Sequence, residues 1–288
     1  MKRLAVIVAV FLVGLGALLY PVASDHLARQ NSSAAIQAYA DKVAALGESE
    51  LEALWRAAEE YNQSLTGQPV RDPFLAGSGM ARTADYEQVL NVGGIMGHVD
   101  IPKIGLRLPI YHGTSPSVLE KGAGHLEGST LPIGGVPRHT VITGHTGLSS
   151  ARLFSDLAEL GEGDQFYFHV LGQTLAYEVN QITVIEPHQT DDLKRVADRD
   201  WATLLTCTPY SVNSHRLLVR GERVDFDRQA HDTITPLLTS AVDRMTLTAG
   251  AATAGIMLLL IIVVALARKR RESGCGPDGG WREDGDGG

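Results

Sequence analysis

Residues 203–221 read TLLTCTPYSVNSHRLLVRG. An apolar run from Thr203 to Thr206 ends on Cys207 and meets Thr208-Pro209-Tyr210. Proline has no N–H to give a sheet, so a strand must stop there. A second apolar run, Leu217 to Val219, follows, and Arg216 stands at its start. The stretch therefore reads as two strands and a turn, short enough to bring the Arg216 guanidinium beside the Cys207 thiol. Side chains at strand ends reach solvent from a rigid backbone. Cys207 can be a buried small hydrophobe or a nucleophile, and the second role needs a base or a cation nearby. Arg220 and Arg223 are as close in sequence as Arg216, and a solvated surface arginine is the plain alternative for all three.

Working outward, short apolar runs alternate with Gly/Pro turns from Gly97 to Val224. Strands are expected at 101–104, 108–111, 140–143, 166–168, 175–179, 182–185, 203–206 and 217–219. One helix is expected at Ala151 to Leu160, with Leu153, Phe154, Leu157 and Leu160 on one side. Many short strands with few helices indicate a mainly β barrel or sandwich. Upstream, residues 26–65 show helical spacing, broken at Gly47. Ser49 and Glu52 form an S-x-x-E pattern that predicts the start of the second helix. The pair reads as a helical hairpin in which Trp55 and Tyr61 pack on a core. Residues 66–90 open with a Gly/Pro/Ser-rich stretch that reads as a linker, with Asp72-Pro73-Phe74 as its one distinctive tripeptide.

The chain has ten histidines. His145 ends the apolar run TVITGH and enters a turn, which suits a base; His125, His139, His188 and His215 are rivals that spacing does not exclude. No H-x-x-x-H, C-x-x-C or phosphate-cradling glycine loop occurs, so neither a metal nor a cofactor is expected. The net charge of −8, with no basic stripe outside the ends, argues against nucleic acid as a partner. Cys275 sits in a Gly-rich charged tail that cannot form a core. With Cys207 it makes no disulfide framework.

Residues 4–20 are continuously apolar after Lys2 and Arg3, and read as an uncleaved anchor within residues 1–25, with a cleaved signal peptide as the alternative. Residues 245–267 include a 21-residue uncharged run from Leu247 to Ala267, long enough to cross a bilayer. Arg268-Lys269-Arg270-Arg271 follows directly. Positive clusters at the outer ends of both segments place both termini in the cytoplasm. Residues 26–65, the 66–90 segment, a domain over 91–228 and a linker over 229–244 then lie outside, and 268–288 forms a disordered cytoplasmic tail.

The stretch TLLTCTPYSVNSHRLLVRG resembles the active-site signature of sortases, T-L-x-T-C followed by arginine, in the form typical of the class C, pilus-assembling branch. ITGHTGLSSARLFSDL resembles the family's histidine segment, and IPKIGLRLPIYHGT and GHLEGSTLPIGG resemble two further segments of that branch. The matches span roughly residues 95–224 in the family's order. The resemblance implies an eight-stranded sortase-type β-barrel with an N-terminal helical hairpin and two transmembrane helices. It implies Cys207 as nucleophile, His145 as its proton-transfer partner and Arg216 as oxyanion stabiliser. Asp72 and Phe74 match the Asp-Pro-aromatic lid of that branch, the acid pairing with the arginine and the ring covering the cysteine. The implied reaction cleaves the Thr–Gly bond of an LPxTG-like signal on a pilin or surface protein and joins the acyl group to a lysine or other amine. The implied location is the membrane of a Gram-positive cell, with the catalytic domain outside. A housekeeping sortase that anchors single proteins to the wall, a His/Cys membrane-bound hydrolase and a non-enzymatic scaffold are the alternatives.

Overall fold

The computed structural model describes residues 2–65, 70–75, 84–228, 231 and 255. Apart from Gly255, the expected second membrane segment lies outside the described residues, as do the Arg268–Arg271 cluster and Cys275. Eight strands close into one barrel. They are β1 (Gly97–Ile101), β2 (Leu106–His112), β3 (Ala123–His125), β4 (Arg138–Thr143), β5 (Gln165–Val170), β6 (Gln173–Ile185), β7 (Asp200–Thr208) and β8 (His215–Val224). Around the barrel the order is β1-β2-β3-β4-β7-β8-β6-β5. Pairings are antiparallel except β2–β3 and β4–β7. Among the described residues, closure leaves no open sheet edge.

Alternation along the strands sorts side chains into two layers. Val99, Ile101, Ile142, Phe166, Phe168, Ala202, Leu204, Leu217 and Val219 face the interior and form the main core. Val141, Leu205 and Leu218 face outward into a second apolar cluster with Leu126, Ile185, Leu193 and Val70. That outer cluster is the floor of the site described below. Gly97 at the start of β1 has no room for a side chain: a Cβ there would lie 2.3 Å from the His169 carbonyl oxygen.

Two helices precede the barrel, α1 (Lys2–Ala45) and α2 (Glu48–Ser64). α1 runs unbroken through the boundary expected near residue 25, with Pro21 inside it. Among the described residues, it is the one helix long and apolar enough to cross a membrane. Its C-terminal half is fastened to the barrel by the Tyr39 hydroxyl, which donates to the Met96 carbonyl (3.1 Å) and accepts from Leu171 N–H (2.8 Å). α2 begins two residues earlier than the Ser49/Glu52 pattern suggests. Gly47 caps it, and the Glu50 carboxylate accepts the Gly47 N–H at 2.9 Å. On α2, buried Asn62 accepts Leu131 N–H at 2.7 Å and Glu59 pairs with Arg138 at 2.5 Å.

Three expected elements differ. Residues 101–104 do not extend as a strand: β1 ends at Ile101 and Pro102–Ile104 form a 3₁₀ turn, because Pro102 cannot donate to a ladder. The two runs at 175–179 and 182–185 are one strand, β6, with its pairing register shifted between Val179 and Gln181. The helix expected at 151–160 is absent. Those residues form turns and a 3₁₀ segment, Leu157–Glu159, with Leu153 at φ 42° and Phe154 N–H bonded to the His145 carbonyl at 3.0 Å. Leu153, Phe154, Leu157 and Leu160 are nonetheless all buried. The periodic pattern reported burial, not helicity.

Candidate active site

The register of two strand pairs assembles the site. Cys207 on β7 lies directly opposite Arg216 on β8, so both side chains leave the same face of the sheet. On the other side of β7, parallel β4 places Thr143 beside Leu205. Two residues further along each strand direction come His145 and Cys207. Thr206 Oγ1 donates to the Gly144 carbonyl at 2.7 Å, and Gly144 N–H donates to the Leu205 carbonyl at 3.1 Å. These bonds hold the His145 backbone level with the end of β7. Gly144 is required there, since a Cβ would lie 2.7 Å from the Phe154 ring.

Asp72 and Phe74 close over this face. Asp72 Oδ2 lies 2.7 Å from Arg216 Nε, and both side chains are almost fully buried. The other carboxylate oxygen accepts the Phe74 N–H at 2.7 Å, which turns the backbone at Pro73. The Phe74 ring then sits 5.4 Å from the His145 ring and 5.1 Å from the Arg216 guanidinium carbon. Val70 adds an apolar foot on the outer cluster. Arg216 is held from behind as well: Nη1 donates to the Asn213 and His215 carbonyls at 3.1 and 3.0 Å. The linker reading of this segment gives way to a docked one.

Burial under the segment pushes the Cys207 thiol up to about 11; Arg216 works against that rise and the Asp72 carboxylate adds to it. The His145 imidazole is pushed below its usual value by burial, with the charge of Glu120 opposing. Both groups are therefore neutral near pH 7 in this arrangement. Glu120 has no sequence motif and was not legible beforehand.

The rival histidines are accounted for. His125 is fully buried, its two ring nitrogens 2.9 Å from the Tyr86 hydroxyl and from the Thr130 carbonyl. His139 is also fully buried, between the Lys194 carbonyl (2.9 Å) and Thr203 Oγ1 (2.7 Å). Burial takes each down to about 4. His188 is exposed beside Glu186. His215 pairs with Thr208 and so leaves the opposite face from Cys207. Arg220 stacks on Trp201 at 3.8 Å and Arg223 lies over Tyr177 at 5.7 Å, further along β8.

A thiol, an imidazole and a guanidinium thus stand around one face of the barrel. Residues 99–224 match the family model for the sortase domain. Sortase C-1 of Streptococcus pneumoniae is 45% identical, with a TM-score of 0.64 over 67% of this chain and 98% of that one. The chain belongs to the sortase family. Sortase C-1 of Actinomyces oris is 49% identical, with a TM-score of 0.58 over 61% of this chain and 99% of that one. Among curated relatives, sortase D of Bacillus subtilis is 30% identical over 135 residues, which cover 46% of this sortase and 65% of that protein. The match thus spans just under two thirds of that relative's length.

Proposed function

We propose that this sortase is a lid-gated, membrane-anchored cysteine transpeptidase. It cleaves the Thr–Gly bond of LPxTG-like signals and passes the acyl group to an amine, a pilin lysine in pilus polymerisation. The observation that carries the reading is the cross-strand Cys207–Arg216 pair with Asp72 ion-paired to the same guanidinium.

In this mechanism Cys207 Sγ, as thiolate, attacks the threonine carbonyl carbon. Arg216 stabilises the developing oxyanion from a preorganised position. The C–N bond breaks and the imidazolium of His145 protonates the departing glycine amine, leaving a thioester on Cys207. The acceptor amine then attacks the thioester, His145 takes its proton, and the new amide leaves as the thiolate returns. Resting neutrality fits a closed lid, because lifting Asp72 and Phe74 removes a negative charge and a dry cover from the thiol. It also exposes the guanidinium that the oxyanion needs. A shielded site favours amine over water in the second half-reaction.

The pilin assignment draws on the docked Asp-Pro-Phe segment and on the structural neighbours, one of them titled sortase C1 of a group B streptococcal pilus island. The wall-anchoring alternative draws on curated relatives named sortase A, and the docked lid weighs against it. Residues 4–20, within α1, supply the anchor. The test uses the full chain in detergent with Asp72→Ala and Phe74→Ala. Mixed with an LPxTG-type peptide, it is expected to carry an acyl adduct on Cys207, absent in Cys207→Ala, that a pilin lysine resolves faster than a cell-wall peptide amine. Folded protein that forms no adduct across a varied peptide panel would overturn the reading.

A further inference from the structure

Diametrically across the barrel from β4 and β7, the wall made by β1 and β5 carries a second cluster of chemistry-bearing groups. His98 and Asp100 alternate with the core residues Val99 and Ile101, so they point outward from β1. His169 and Tyr167 do the same on β5, directly opposite them in register. The chain leaving β8 folds back over this face: Phe226 packs on Tyr167 at 5.6 Å, and His231 sits edge-on to Tyr167 at 4.7 Å. The outcome is a covered patch in which one ligand-type atom each from Asp100, His169 and His231 lie within 4.8 Å of one another.

We propose that Asp100, His169 and His231 form a binding site for a divalent first-row cation, Zn²⁺ foremost. Two imidazoles and a carboxylate are a donor set this class of ion accepts. Asp100 Oδ2 and His231 Nε2 are 3.4 Å apart, and ligands 2.0–2.1 Å from a tetrahedral ion are separated by about 3.3–3.4 Å. His169 is oriented in the way such ligands are. Its Nδ1 lies 3.0 Å from Thr174 Oγ1, and its Nε2 is buried with no hydrogen-bond partner. A ring that donates through Nδ1 presents the bare lone pair of Nε2. The His98 ring, stacked on His169 at 4.4 Å, fixes that ring's plane. Arg107, half exposed, holds Asp100 Oδ2 at 3.0 Å and is the cation the metal displaces. A bound ion ties the chain after the barrel to strands at the barrel's start. The site is independent of the transpeptidase reading.

Calorimetric titration of the full chain in detergent with ZnCl₂, after chelator treatment, tests this. Cys207→Ala with Cys275→Ala is the background, so that neither thiol can contribute. One equivalent is expected to bind. His169→Ala and His231→Ala are each expected to lose more than the about 10- to 100-fold that an outer partner costs. Two variants keep all three ligands and guard against misfolding. Thr174→Val is expected to weaken binding about 10-fold, while Arg107→Ala is expected to tighten it about 10-fold by removing a competing charge. Zn²⁺ heats unchanged in His169→Ala and His231→Ala, or no saturable binding in the parent, would overturn the proposal, as would weaker binding in Arg107→Ala.

Discussion

Two segments ahead of the catalytic strands each send an acid to an arginine of the barrel, and they are built very differently. Glu59 reaches Arg138 from α2, a helix of 17 residues whose own carboxylate partner is well exposed. Asp72 reaches Arg216 from a short irregular segment, and there the pair is almost fully buried. The ion pair is the minor fastening of α2, which also has Asn62 clasping the Leu131 backbone and an apolar face against the core. For the lid the buried ion pair is the main fastening, helped by Val70 and Phe74 on the outer apolar cluster. A buried pair depends on both partners staying in place. In the proposed mechanism the lid is therefore held by the same guanidinium that the oxyanion needs, while α2 is fastened through Asn62, Glu59 and its apolar face.

Breaking Arg216 gives the largest effect, because it separates the two roles of that residue. Arg216→Ala releases the lid yet removes the oxyanion partner. Acyl-adduct formation is expected to fall about 10²- to 10³-fold; a faster rate would mean that the arginine is only a latch. Next comes Asp72→Ala with Phe74→Ala. Alkylation of Cys207 by a thiol reagent at neutral pH is expected to rise at least about 10-fold, with its pH profile moving to lower pH. The sign follows from the causes: burial and the Asp72 charge both favour the neutral thiol, and the variant removes both. An unshifted profile would mean that the segment does not control the thiol.

Asn62→Ala sharpens the other half of the comparison. It strands a buried Leu131 N–H, so unfolding free energy is expected to drop by about 1–3 kcal/mol, read as a lower Tm, with Cys207 alkylation of the folded protein unchanged. Glu59→Gln is the smallest. Its carboxylate is more than a third exposed, although Arg138 is buried; solvent screening at the carboxylate keeps the expected loss to less than about 1 kcal/mol. A Tm loss larger than that of Asn62→Ala would reverse the ranking of helix packing over ion pair.

The β4, β7 and β8 runs were legible because their apolar stretches end abruptly at TGH, CTP and HR. Strand ends and turns are local facts that composition records. Which histidine stands beside Cys207 was not legible from spacing, since that depends on a parallel register between segments more than 60 residues apart. The family resemblance named His145, and the β4–β7 pairing brings it level with the cysteine. β3, Ala123–His125, escaped because it is short and has no β-branched residue. The segment at 151–160 was misread because a helical stripe and a buried irregular loop can share one spacing. The cluster at Asp100, His169 and His231 was invisible for a related reason. Its members come from three segments, so no short motif contains them.

The fastening of α1 bears on which molecules can meet the cysteine. Ser24 Oγ donates to the Ser149 carbonyl at 3.2 Å, and Asp25 accepts Arg152 N–H at 2.8 Å. The loop that follows His145 is thus tied to the helix four residues beyond Tyr20, about 6 Å of helix rise. With residues 4–20 in the bilayer, as proposed, that loop stands at the lipid headgroups and not at the end of a tether. Peptides still held in the same membrane by their own hydrophobic segments would arrive at that height, whereas segments far from the lipid would have to bend back to reach it. Altitude above the bilayer then becomes a selectivity filter, set by one turn of helix rather than by the shape of the cleft.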